Sequence, residues 1–274
     1  MSNEFDESAT AFEDAVSAKD QADKPNEAAD PASLVAAMMP PGLMEKYEVH
    51  SYRSAATILA MSHKAEFQDL CDVLADFTIT EKMIRTAGGN ESDIPKLLSA
   101  ALRPKGWHET IIRGDLHVEK ISRRMVSVGK SGKLLKKPRF ERAEPELLKR
   151  EKYLDGHKVD YVKGKVAFDL EWNSKDQTFD RDLYAFSAFA QTGVVDVGVL
   201  VTRGAAMTEF IKGLGPALKK NGQIEMKEGK ARRTSDKYGA STTWMGKLLY
   251  RLNAGRNGAC PVLVIGITPA CVTD

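Results

Sequence analysis

The sequence predicts an α/β fold, a mixed central β-sheet flanked by helices, on three observations. Two apolar runs, "VVDVGVLVT" at 194–202 and "PVLVIGI" at 261–267, have the length and β-branching of strands covered on both faces. Amphipathic helical stripes stand before and between them. The third observation is "KVDYVKGKVAFDLEW" at 158–172, two alternating stretches around a glycine, which reads as an antiparallel hairpin. Strands alternating with helices give a layered sheet, and a hairpin among buried runs makes that sheet mixed.

The elements follow in order. Residues 1–30 carry nine acids and two lysines, a net of −7 in a chain of +2, so the rest of the chain carries +9. Residues 1–41 hold few large apolar side chains, cannot offset their ordering entropy by burial, and are expected to be a disordered acidic leader. Its removal should then leave folding intact. Pro40-Pro41-Gly42 marks the start of one domain, 42–274. Phe67, Leu70, Cys71, Leu74 and Phe77 form one stripe of a helix opening near Ala65. A second helix opens after "TAGGNESDIPK" with Pro95 early, carries Leu97, Leu98, Ala101 and Leu102, and closes at "RPKGW". Residues 120–150 hold eleven Lys or Arg against three acids, and Gly129, Gly132 and Pro138 break regular structure, which predicts a long basic loop or arm. "TFDRDLYAFSAFAQ" is a helix with Thr178 as cap and Leu183, Phe186 and Ala190 on one face. "STTWMGKLLYRL" is another, with Met245, Leu248, Leu249 and Leu252 inward.

Composition narrows the function classes. With 42% hydrophobic and 28% charged residues the chain is ordinary globular material. No apolar run reaches the roughly 18 residues of a membrane span, and the acidic N-terminus does not read as a signal peptide. Cys71, Cys260 and Cys271 have no metal-ligand spacing and are expected as free thiols in a reducing cytoplasm. An acidic tail on a basic body points to a polyanion partner, with a merely solubilising leader as the plain alternative. A second basic cluster, 227–237, favours a surface that follows a nucleic-acid backbone.

Three carboxylates interrupt the hairpin. With Lys163-Gly164 as the turn, Val162 pairs with Lys165, Tyr161 with Val166 and Asp160 with Ala167. Val166, Phe168, Leu170 and Trp172 then point to one face, and Ala167, Asp169 and Glu171 to the other. Asp160 shares that second face, diagonal to Asp169, at about 7–8 Å between Cα atoms. Three clustered acids repel one another, so at least one takes a proton unless a cation is present. Oxygen-only ligation suits Mg²⁺, which binds one or two carboxylates and leaves room for water and a phosphate. An amphipathic hairpin with its acids simply in water is the alternative.

Asp160, then eight intervening residues and Asp169-x-Glu171, resembles the PD-(D/E)xK nuclease motif, with glutamate in place of the lysine. "GGNESDIPKLL…LRPKGW", "VDYVKGKVAFDLEWNSKD…FDRDL" and "STTWMGKLLYRLNAGRNGACPVLVIGI" together resemble type II restriction endonucleases of the BglII/BamHI-like group, from about residue 42 to 270. The sequence departs from that group in having Asp169 where relatives often carry Glu, and Glu171 rather than Gln or Lys. The basic segment 120–150 looks like an expansion. The resemblance implies a restriction-endonuclease-like core and Mg²⁺-dependent cutting of double-stranded DNA by a homodimer at a palindromic, GATC-containing site. Asp160 and Asp169 would hold the metal and Glu171 would orient or deprotonate water. Lys175 would supply the missing positive charge or is a surface lysine. Asn90 and Glu91 match positions that support the site in relatives, or Asn90 caps a helix. A repair or modification-dependent nuclease, and a DNA-binding protein without catalysis, are the rival readings.

Base reading needs donors and acceptors on loops at the open edge of the sheet. Asn173, Ser174, Asp176 and Gln177 follow the catalytic strand directly. Arg203, Arg232, Arg233, Ser235, Asp236, Ser241 and Thr242 flank later elements, with Ser241 or Thr242 also able to cap the following helix. Lys136, Lys137 and Arg139 are expected on phosphates.

Overall fold

The computed structural model describes residues 28–86 and 93–274. The chain divides into two compact units. Ile111–Lys158 forms the smaller, and the segments on either side of it form the larger.

In the larger unit, helices α1 (Ala32–Met38) and α2 (Pro41–Lys46) lead into strand β1 (Tyr47–Tyr52). Helices α3 (Ala55–Ser62) and α4 (Lys64–Asp76) follow, then the short β2 (Ile79–Thr80), α5 (Glu81–Thr86) and α6 (Asp93–Leu102). Strands β3 (His108–Lys120) and β6 (Glu146–Lys163) each belong to both units, and β4 (Arg123–Val128) and β5 (Leu134–Arg142) lie in the smaller. The chain continues through β7 (Val166–Glu171), α7 (Thr178–Gln191), β8 (Val197–Arg203) and α8 (Ala205–Gly213). After the short β9 (Met226–Lys227) and β10 (Lys230–Ala231) come α9 (Met245–Asn253), β11 (Val262–Ile267) and β12 (Val272–Thr273).

The main sheet has six strands in the order β1-β11-β8-β7-β6-β3. It is mixed: β7, β8 and β11 run parallel, while β1 and β6 are antiparallel to their neighbours. Every residue of β7, β8 and β11 is buried, as the continuous apolar runs require. Phe168, Leu170 and Trp172 pack with Val199 and Val201 into the core beneath α4 and α6. The opposite face lies against α7, where a Cβ on Gly198 would come within 2.3 Å of the Phe186 ring, so only glycine lets helix and strand approach this closely. No helix among the described residues is long and apolar enough to cross a membrane. Cys71, Cys260 and Cys271 are free and buried.

Three expectations change. The hairpin turn is Gly164-Lys165, because Gly164 takes a left-handed φ of 54° at the first turn position, and Lys163 pairs with Val166, Val162 with Ala167 and Tyr161 with Phe168. This shifts the register by two residues. An even shift keeps every side chain on its expected face. Second, residues 28–41 depart from the expected unstructured leader. Asp30 accepts the Ser54 N–H at 2.8 Å, Val35 and Met39 are 2% and 4% exposed within the core, and Met38 packs against it, so a few apolar side chains order an otherwise Ala-rich segment. Third, the basic segment is not an irregular loop. β4 and β5 pair as an antiparallel hairpin, Gly129 and Gly132 form its turn, and the ladder shifts register between Val126 and Val128.

Met39→Ala should therefore lower unfolding stability by about 2 kcal/mol or more, measured by urea titration. A change below about 0.5 kcal/mol, the scale of an ordinary surface substitution, would mean that this segment does not pack on the domain.

Candidate active site

β7 delivers Asp169 and Glu171 to the face that α7 covers, and strand alternation puts Phe168 and Leu170 on the other. Asp169 is 4% exposed and Glu171 7%. Asp160, exposed at the neighbouring position of β6, turns its backbone N–H to Asp169 Oδ1 at 2.7 Å. That bond stands where the next rung of the β6–β7 ladder would be, so the two acids are held together by backbone geometry. Asp169 Oδ2 is buried with no hydrogen-bond partner. A buried carboxylate oxygen left unsatisfied is expensive, and it marks a place where a cation or proton belongs.

The helix after β7 adds two groups that the sequence reading did not include. Asp182, 1% exposed, joins Glu171 in a hydrogen-bonded carboxyl pair. Arg181 Nη2 lies 3.2 Å from Asp182 Oδ1 and 3.9 Å from Glu171 Oε1, and its side chain remains more than half exposed. The signal for Asp182 was present in "FDRDLYAF". It interrupts the apolar stripe Phe179, Leu183, Phe186, and a charge on such a stripe must be buried with a partner.

Electrostatics follow from crowding. Burial raises the Asp169 pKa well above the usual carboxylate range, and the charges of Asp182, Asp160 and Glu171 add to it against the Asp160 N–H. Burial likewise raises Glu171, opposed by the polar side chains of Ser174, Thr178 and Asp182 beside it and by the Arg181 charge. Asp182 is pushed up to about 8, by burial first and then by Glu171. Among the described residues no three His, Cys, Asp or Glu side chains form a ready-made metal cage. Mg²⁺ does not need one, since it keeps several waters and takes one or two carboxylates with a substrate phosphate.

The other expected site residues divide clearly. Ser174 is turned to Glu171. Asn173 Nδ2 donates to the Lys237 carbonyl at 3.1 Å, and its Oδ1 is buried without a partner. Asp176 is buried against Lys247 at 2.8 Å and Arg251 at 3.6 Å, which tie the turn after β7 to α9. Arg203 is 3% exposed and donates to the carbonyls of Trp172 and Thr243 and to Thr242 Oγ1, with its guanidinium 4.8 Å from the Tyr238 ring centroid. Both residues hold the loops in place and have no free edge for a base. Arg232 pairs with Glu225 at 2.7 Å and Arg233 with Asp236 at 3.1 Å. Neither Ser241 nor Thr242 caps α9, whose N-cap is Trp244, and Thr178 is the first residue of α7 with its hydroxyl on the Lys175 carbonyl. Gln177, Lys175, Arg233, Asp236 and Ser241 are exposed, as are Lys136, Lys137 and Arg139 in the smaller unit. Asn90 and Glu91 lie outside the described residues.

The family model described as restriction endonuclease BglII/BglIII matches residues 47–267, from the first residue of β1 to the last of β11. The chain belongs to that family. No curated protein matches it. Membership makes this a restriction-type nuclease, a hydrolase of a restriction-modification system that binds double-stranded DNA, in a family of enzymes that generally work with divalent metal ions. The matched span contains Asp160, Asp169, Glu171 and Asp182 and the whole smaller unit, while α1 and α2 fall before it.

The raised carboxyl pKa values set a sign for stability. The folded chain keeps protons that the unfolded chain releases, so with divalent cations chelated, stability is present at low pH and is lost as pH rises from about 4 to about 8. Asp182→Asn should flatten that decline. Urea midpoints of both proteins at about pH 5 and about pH 8 test it, and an equal decline in the two would show that this carboxyl is not the source.

Proposed function

We propose that the protein is a Mg²⁺-dependent endonuclease that hydrolyses one phosphodiester bond per strand of duplex DNA at a palindromic site, acting as a homodimer. The observation that carries this reading is Asp169. Its buried, unpartnered oxygen stands beside Asp160 where the β6–β7 ladder ends, inside the span that matches the nuclease family. Asp160 and Asp169 are the residues that would hold the ion, and their hard oxygen donors fit it. An ion held there would polarise the phosphodiester and lower the pKa of water.

The remaining chemistry falls to side chains of this chain. Glu171 orients the attacking water and accepts its proton, and the pKa raised by burial makes it a better base near neutral pH than a free glutamate. A carboxylate cannot donate to the developing charge as the lysine of the common motif does. Arg181 takes that part, because it is the cation beside Glu171 and its guanidinium is open to an incoming phosphate. Lys175, exposed and bridged through its backbone to Thr242, is the weaker candidate. Asp182 keeps Glu171 in position. Gln177, Arg233, Asp236 and Ser241, all exposed, are the base-reading candidates. Two-fold symmetry of a dimer matches a palindrome, and resemblance to the family favours a GATC-containing hexamer with five-prime overhangs.

Asp160→Asn or Asp169→Asn should reduce cutting by about a hundredfold or more while leaving duplex binding in place. Arg181→Ala should lower the single-turnover rate and leave metal dependence unchanged. Plasmid digestion with and without Mg²⁺, gel-shift titration and sequencing of the fragment ends measure these together. Discrete fragments with uniform ends fit site-specific cutting, smears fit a repair-type nuclease, and wild-type cutting by either Asp variant removes the metal assignment.

A further inference from the structure

The smaller unit is where the positive charge of this chain concentrates. Ile111–Lys158 holds fourteen Lys or Arg against seven acids, a net of +7 in a protein of +2. Within it, the β4–β5 hairpin from Arg123 to Arg142 carries eight basic residues and one acid, Glu141.

The register sorts those residues onto two unlike faces. Arg123 pairs with Arg142 and Met125 with Phe140, so these four share one face. Arg124 pairs with Glu141 and Val126 with Arg139, which makes the other. Glu141 lies 2.8 Å from Arg139 and directly opposite Arg124, so the second face is partly neutralised. The first face has no acid. Its two apolar side chains are each 60% exposed, in a unit with no reason to leave them in water, and the Arg123 guanidinium is stacked 4.9 Å from the Phe140 ring centroid.

We infer that this face, Arg123, Met125, Phe140 and Arg142, is a second DNA-binding element that lies in a groove of the duplex. The inference rests on the reading of the protein as a nuclease of duplex DNA. A two-stranded β-ribbon is one of the two elements that the major groove admits. Its arginines reach phosphates or the acceptor edge of guanine, and its apolar pair meets thymine methyl groups. Charge decides against a second copy of this chain as occupant. A two-fold contact of this face with itself would bring four arginines together with no acid among them. A polyanion with apolar groups on its groove floor complements it.

The test uses the full chain and compares the faces residue by residue. Affinity for cognate and random duplexes is measured across a salt series for wild type, Arg123→Ala, Arg124→Ala, Arg123→Ala with Arg142→Ala, and Met125→Ser with Phe140→Ser. Single-turnover cutting is measured at saturating DNA. All of these side chains are exposed, so the hairpin keeps its fold. Arg123→Ala should weaken binding several-fold more than Arg124→Ala, its neighbour on the other face. The double arginine variant should lose roughly tenfold and reduce the salt slope. The apolar double variant should lose affinity with an unchanged salt slope. Equal effects of Arg123→Ala and Arg124→Ala, or apolar variants that bind as wild type, overturn the inference while wild-type cutting keeps the nuclease reading. Apolar variants that shift only the oligomeric state of DNA-free protein overturn it in favour of self-association. A wild type that neither binds nor cuts duplex DNA overturns both.

Discussion

Asp169 and Glu171, on a strand whose every residue is buried, and Asp182, on the inner side of α7, are withdrawn from water, and each charge placed there raises the energy of the others. Born solvation and like-charge repulsion both favour neutralising them. The protein has not removed them. It has surrounded them with a backbone donor from Asp160, hydroxyls of Ser174 and Thr178, and one exposed guanidinium from Arg181. A fold that keeps costly carboxylates and leaves oxygens of both Asp169 and Glu171 unsatisfied is arranged around something it will bind.

The supporting structure follows from that constraint. A strand with acids on one side needs an apolar other side to stay in the sheet, and Phe168, Leu170 and Trp172 provide it. The turn after β7 must hold Ser174 and Thr178 at Glu171. Asp176 anchors that turn to Lys247 and Arg251 of α9, an ion pair withdrawn from solvent and more rigid than a surface pair. Arg203 does the same for the loop before α9 through three acceptors and the Tyr238 ring. Four charged residues outside the reaction thus fix the walls around it.

Much of this was legible from the chain. The runs at 194–202 and 261–267 gave β8 and β11 because a continuous β-branched stretch bounded by turns has few other ways to be buried. The shared face of Asp160 and Asp169 survived a register error of two residues, since side-chain direction depends only on parity. Partnerships across the chain were not legible. Nothing local in "MGKLLYRL" tells Lys247 and Arg251 that Asp176 lies opposite, so polar candidates after the catalytic strand read as open to DNA when some are walled in. The hairpin at 123–142 was hidden because Gly and Pro were taken as breakers, although a turn uses the first and β5 runs through the second. Asp182 was passed over because its helix was read for its apolar stripe alone.

The central claim is that repulsion and desolvation at Asp169 are held in reserve for a divalent cation. Asp169→Asn keeps the acceptor for the Asp160 N–H and removes only the charge, so it isolates that claim. Unfolding stability of wild type and Asp169→Asn is measured at neutral pH, first with chelator and then with Mg²⁺. The account predicts that the variant is the more stable of the two in chelator, and that Mg²⁺ stabilises wild type but leaves the variant unchanged. A variant less stable than wild type in chelator, with neither protein responding to Mg²⁺, would contradict it.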